Sequence, residues 1–266
     1  IKEAIKTMDS NSPTSYEILG TIEELENITP AKLYNAYKSL RKNFKVDVFL
    51  IGNLDMDNVA SLIKKYFKNR YIVSDNFEVM VDNKETKKVK EKAMKSDNIQ
   101  TNLVMLFNLK NLSELEKNIT LNCFNYLYGS GGLTSKLYKS IREENSLCYA
   151  INSMYLKYDK LLMVQISLDN CNVKKAISLV KKELKSMQNG NFSEEEVRDA
   201  INNMVISLDM SLDNNIAILN NYVFNIYDKL PSIEERKEYF KKLTKEDIVN
   251  VSKKVKLNTI FTLEGR

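Results

Sequence analysis

Two side chains stand out for what they could do together. Arg142 opens the charged run of "SIREEN", and Tyr149 follows seven residues later in "SLCYA". A guanidinium is a planar fork of donors that never loses its charge, and a phenol is a single donor. Converging on an extended chain, the two would hold its carbonyl oxygens. The plainer reading is a surface cation near the C-terminus of a helix and a half-buried tyrosine in a strand. Spacing alone leaves both readings open.

Most other routes to chemistry are closed by composition. The 266 residues contain no histidine. No imidazole-ligated zinc and no Ser-His or Cys-His pair can be built from them. Carboxylates, lysines, tyrosines and three thiols remain. Ser130–Gly131–Gly132 lacks the Walker Lys-Ser/Thr pattern and the full dinucleotide fingerprint, so it reads as a turn before a helix. Glu194–Glu195–Glu196 reads as charge stabilising the start of a helix. Cys123, Cys148 and Cys171 have no C-x-x-C spacing, as expected of reduced thiols in a cytoplasmic protein. Cys148 falls on an apolar strand position and reads as an inert thiol.

The elements that must position Arg142 and Tyr149 are legible in the surrounding pattern. Gly131 and Gly132 make a turn, a helix runs from about Leu133 to Glu144, and a strand follows from Leu147 to about Leu156. "KLLMVQISL" is its hairpin partner, and "NIQTNLVMLFNL" is an earlier strand. Helices follow from Val173 to Met187, from Ser193 onward, and around Ser232 and Thr244; "NTIFTLEG" closes as a strand. Ser113/Glu116 and Ser193/Glu196 have the spacing of capping boxes. Earlier, Thr29-Pro30 opens a helix with an apolar stripe of Leu33, Tyr34, Tyr37 and Leu40. "VDVFLIG" (Val46 to Gly52) reads as a strand apolar on both faces, and "DNVASLIKKYF" as a helix.

The resulting fold class is α+β, a mainly antiparallel sheet with helices packed on one face. Residues 1–72 read as the C-terminal part of a preceding domain, since their strand needs neighbours the segment does not supply. Residues 73–95 read as a linker or edge strand, and residues 96–266 as a complete domain. The chain opens at Ile1, so its natural N-terminus is expected to lie upstream.

Strict alternation splits each strand into two faces. Thr101, Leu103, Met105, Phe107 and Leu109 share one face, and Leu162, Val164, Ile166 and Leu168 share another. In the Leu147–Leu156 strand, Cys148, Ala150, Met154 and Leu156 form the greasier set with Asn152. Leu147, Tyr149, Ile151, Ser153 and Tyr155 form the other. The greasier faces should lie under the helices, leaving Tyr149 on a mixed surface suited to a peptide-contacting wall.

Hydrophobic residues make up 43% and charged residues 28% of the chain, a globular composition with too much apolar material for disorder. A net charge of +5 with interspersed signs implies no large one-sign field. The basic stretch "NKETKKVKEKAMK" lacks interleaved aromatics, so no nucleic-acid partner is expected. No apolar run has the length of a membrane span.

"GGLTSKLYKSIREENSLCYAINSMY" resembles a segment of the insulinase-like (pitrilysin) family of zinc metallopeptidases. That segment has a Gly-Gly turn, a Ser-x-Leu helix, Arg-Glu and a following Tyr. "LGTIEELENITPAKLYNAYKSLRKNFKVDVFLIGNLD" resembles the end of the family's preceding domain, and "NFSEEEVRDAINNMVISL" its long late helix. The resemblance implies repeated α+β domains facing each other across a chamber. It implies zinc on an H-x-x-E-H helix of a catalytic domain or partner subunit. It also implies that Arg142 and Tyr149 each donate to carbonyls of a peptide substrate near the scissile bond. This chain has no H-x-x-E-H, holds no catalytic or metal-binding residues of its own, and looks most like the bacterial non-catalytic type. The alternative is a protein–protein scaffold or binding module of the same fold.

Overall fold

The computed structural model describes residues 1–43, 46–67 and 88–266. In chain order these form helix α1 (Lys2–Met8), α2 (Ile22–Glu26), α3 (Pro30–Asn43) and α4 (Met56–Tyr66), then strands β1 (Lys90–Lys95) and β2 (Thr101–Leu109). Next comes α5 (Leu121–Asn125), flanked by π-helical turns Glu116–Thr120 and Tyr126–Ser130. Another π-helical segment, Tyr138–Glu143, leads into β3 (Cys148–Leu156) and its hairpin partner β4 (Leu161–Leu168). Helices α6 (Val173–Gln188), α7 (Glu194–Ser211), α8 (Asn215–Asp228), α9 (Ile233–Lys241) and α10 (Lys245–Ser252) precede β5 (Val255–Glu264).

The described residues group into two units: 1–16, 88–208 and 234–266 in one, and 17–43, 46–67 and 209–233 in the other. The sequence division ran along the chain, at 72 and 96; packing groups residues across the chain instead. Of the stretch read as a linker or edge strand, residues 73–87 lie outside the described residues.

The first unit holds one sheet in the order β1-β5-β2-β4-β3. All pairings are antiparallel except β1 with β5. This is the α+β class that the strand and helix pattern predicted. Leu103, Met105, Phe107, Leu162, Val164, Ile166 and Leu168 project into the main core, against Phe124 and Tyr128, Val180 of α6, Val197 of α7 and Ile248 of α10. At roughly 25 cal/mol per Å² of apolar surface, this core dominates the stability of the unit.

The opposite face is not free of helices. Ala4, Ile5 and Met8 of α1 pack on Val104, Leu106, Leu161, Met163 and Phe261 in a second, smaller core. Sequence reading put residues 1–16 in the preceding domain, yet their helix covers one end of this face. The two edges of the sheet differ. β1 is KEKAMK and fully exposed, a charged edge that resists pairing. β3 is CYAINSMYL, without a charge or a proline.

The second unit contains α2, α3, α4 and α8. Its apolar stripes are exposed: Leu33, Tyr34, Tyr37 and Leu40 on α3, and Leu62 on α4. The expected strand Val46–Gly52 is not one. Its backbone pairs with no strand among the described residues, and a β-rich sequence cannot satisfy its ladder without a neighbour. Tyr227 of α8 donates its hydroxyl hydrogen to Asp47 in this segment.

Candidate functional site

The approach to the site begins with a tight passage of chain. A Cβ on Gly131 would come within 2.6 Å of the Tyr126 carbonyl oxygen, and Gly132 has φ +61°. Glycine suits both positions for different reasons, close approach and left-handed backbone. The chain then enters the helix that carries Arg142 in its last turn. Arg142 is exposed, and its guanidinium lies over the Tyr138 ring at 5.1 Å from the centroid. Among the described residues it makes no ion pair, so the adjacent Glu143 and Glu144 do not neutralise it.

Tyr149 owes its orientation to an irregularity of pairing. Cys148 pairs with Leu168 and Ala150 with Ser167, so Tyr149 is the extra residue of a β-bulge. Two consecutive residues, Tyr149 and Ala150, are therefore exposed, while Cys148 is 9% exposed and belongs to the main core. Tyr149 itself is 53% exposed.

The bulge also corrects the faces read from alternation. Beyond it, Ile151, Ser153 and Tyr155 turn toward the helices, and Asn152 and Met154 turn away. Tyr149 is outside the helix-side core as expected, but not as part of the face it was grouped with. Ser153, placed on the mixed surface by sequence, is buried. Its Oγ lies 2.6 Å from Asn125 Oδ1.

No hydrogen bond or ring contact joins Arg142 to Tyr149. What they share is Cys148. Burial pushes its thiol pKa up, and the Arg142 charge offsets part of that rise. Tyr149 instead points its phenol at Asp169, with Oη donating to Oδ1 across 3.1 Å. This hydrogen bond, together with the carboxylate charge, raises the phenol pKa. Asp169 is exposed, immediately follows β4, and sets no side-chain cap on the short turn it opens. Sequence reading missed it. Counting back from the β3–β4 turn would have brought the Leu168–Asp169 end of the hairpin to Tyr149. Beside it, Asn170 lines an open pocket with Lys95, Ser96, Asp97, Glu264, Gly265 and Arg266, in which Arg266 is paired with Asp97 at 3.1 Å.

The arrangement offers two exposed donors of different kind, one cationic and one neutral, flanking a buried thiol at the edge of a sheet. It does not offer a metal centre. Zinc needs several nitrogen, sulfur or carboxylate donors around one point. Among the described residues no three His, Cys, Asp or Glu gather in that way. Nor does any described helix have the length and apolar character to cross a membrane.

Comparison with known proteins shows the family and the fold. A family model described as the peptidase M16 inactive domain matches residues 27–204, two thirds of the chain and inclusive of Arg142 and Tyr149. The probable inactive metalloprotease YmfF of Bacillus subtilis (strain 168) is 27% identical over 267 residues, covering 98% of this chain and 61% of that protein. A conserved protein from Enterococcus faecalis V583 superposes with a TM-score of 0.88 at 22% identity, covering 100% of this chain and 63% of that one. A peptidase M16 inactive domain from Pseudomonas fluorescens gives 0.77 at 16% identity, with 100% and 65% covered. The structural likenesses concern the fold. The chain spans roughly three fifths of the length of these relatives.

Proposed function

The chain belongs to the peptidase M16 inactive-domain family, and from that premise we propose that it is the peptide-holding, non-catalytic portion of an insulinase-like assembly. In this reading a zinc site on another domain or subunit performs the hydrolysis. The sequence has no histidine to contribute to that site. What this chain brings is a pair of donors. Arg142 offers its guanidinium fork and Tyr149 its phenol to carbonyl oxygens of an extended peptide. Donors aimed where charge develops on oxygen favour the transition state more than the ground state. The second unit, with its exposed apolar stripes, is the end of a neighbouring domain of the same kind.

One observation carries this reading. A β-bulge turns Tyr149 out of the core seven residues after a helix-end arginine that no carboxylate among the described residues pairs with. A bulge that re-aims a side chain is a common device next to functional sites.

The test uses the full-length protein, alone and with a co-expressed zinc-bearing partner, and an unstructured fluorescent peptide followed by anisotropy and by hydrolysis. Arg142→Ala and Tyr149→Phe are each expected to weaken peptide binding about tenfold and to lower turnover, as loss of a hydrogen bond to a polar partner would. A double variant indistinguishable from wild type in both measurements would overturn the proposal.

A second reading, a scaffold or binding module without peptidase involvement, draws on a separate observation. The one hydrogen of the Tyr149 phenol is already given to Asp169. That double variant, unimpaired, is what the scaffold reading expects.

A further inference from the structure

The phenol of Tyr149 has one hydrogen to donate, and Asp169 Oδ1 receives it. A hydrogen bond to an ionised acceptor is roughly twice as strong as one to a neutral carbonyl. A peptide carbonyl therefore competes at a disadvantage for that hydrogen while the Asp169 carboxylate has no other strong partner among the described residues. Among the described residues Asp169 has no cationic partner. Arg142 lies over Tyr138 instead, and Arg266 is bound to Asp97. The carboxylate is exposed, and most of its acceptor positions face outward.

We propose that Asp169 is a specificity-determining residue that selects peptides carrying a cationic side chain, Lys or Arg, next to the segment held by Tyr149. This inference rests on the peptide-holding reading above and names the class of peptide it favours. A ligand ammonium or guanidinium pairs with Asp169 and supplies the charged partner that the described residues do not. The phenol hydrogen is then released to rotate onto a backbone carbonyl of the same peptide. A neutral peptide has to displace the Tyr149–Asp169 hydrogen bond without compensation. Asp169 is thus a positioning residue for Tyr149 as well as a contact for the ligand.

Full-length protein is titrated with two N-acetylated fluorescent peptides of about a dozen residues, identical except that Lys at every third position in one is norleucine in the other. Wild type is expected to bind the Lys peptide about tenfold tighter, the scale of one additional charged hydrogen bond. Asp169→Ala is expected to erase that preference and to tighten the norleucine peptide. Adding Tyr149→Phe to Asp169→Ala should remove the tightening, which a purely electrostatic surface effect would leave in place. Asp169→Asn should also lose the preference, because it keeps the shape and removes the charge. A norleucine peptide with a free amino terminus separates the two sources of cation. If only that terminus produces the gain, selection of a side chain is overturned. A preference unchanged in Asp169→Ala, with both peptides still weakened by Arg142→Ala, overturns this inference and leaves the peptide-holding reading intact. Absence of saturable binding by either peptide overturns both.

Discussion

Ser153 Oγ sits 2.6 Å from Asn125 Oδ1, and Asn125 Nδ2 donates back to the Ser153 carbonyl at 3.4 Å, both residues being buried. The pair ties the outer strand β3 to α5 and lies under Gly129, where a Cβ would come within 2.5 Å of the Ser153 oxygen and 2.9 Å of Leu137 Cδ1. Ser153→Ala leaves the Asn125 amide oxygen buried without a donor and should cost about 1–3 kcal/mol. Gly129→Ala overfills the same spot and should cost about 1–3 kcal/mol or more. Chemical denaturation of the full-length protein reads both; no loss in either variant would show that β3 and α5 are not held in this way.

The bulge makes an unusual deletion testable. Removing Tyr149 joins Cys148 to Ala150 while their partners Leu168 and Ser167 are already adjacent. Regular alternation is restored without turning any core residue outward. Deletion of Tyr149 should therefore keep cooperative unfolding, and Tyr149→Phe should change stability by no more than about 0.5 kcal/mol. Peptide binding should fall in both. A deletion variant that fails to fold cooperatively would mean the bulge is needed by the sheet itself.

The three thiols should react in a fixed order with an uncharged alkylating reagent at mildly alkaline pH. Cys171 is exposed and should label first. Burial raises the Cys148 thiol, with partial relief from Arg142, and raises Cys123 to about 12. The thiolate is the nucleophile, so Cys148 should follow slowly and Cys123 only on unfolding. Arg142→Ala should slow Cys148 further, because the offsetting charge is gone. Mass spectrometry of peptides at increasing times checks the order; a faster Cys148 in that variant would contradict it.

Two capping glutamates give the fold a defined acid sensitivity. Burial acts to raise Glu116, but Lys254 and the Ser113 amide outweigh it and hold the carboxyl below its ordinary value of 4.5; Lys136 and Ser193 do the same for Glu196. Both contacts to lysine are 2.7 Å. A folded-state value below the unfolded one means stability that is present above pH 4.5 and lost as pH falls through the folded value. Glu116→Gln and Glu196→Gln should each cost about 1 kcal/mol near neutral pH. The difference from wild type should shrink in denaturation curves taken below pH 4.5. A constant difference across pH would assign the loss to packing rather than charge.

Much of this architecture was readable residue by residue. Ser113/Glu116 and Ser193/Glu196 close both arms of their capping boxes in the structure. A cap is a local geometry three residues long, so its sequence spacing is nearly sufficient. The faces of β4 also followed from alternation, because Leu162 to Leu168 pairs with β2 without interruption. Arg142 and Tyr149 were identifiable as donors of a given type at a given spacing.

Tertiary pairing decided the rest. Whether Tyr149 faces out depends on one extra residue against Leu168 and Ser167, and nothing within β3 announces which strand it pairs with or where the register slips. The phase of Ser153 and Tyr155 was misread for that reason. The segment Val46–Gly52 has strand composition but no neighbour among the described residues, and a strand exists only as part of a sheet. The cover that α1 gives Val104, Leu106 and Met163 joins residues about a hundred or more positions apart. Asp169 reaches Tyr149 across 20 positions of sequence. Side-chain chemistry, caps and periodicity are local and belong to the sequence. Register, the partner of each strand and the destination of each donor's hydrogen are set by contacts between distant segments, and only the folded chain decides them.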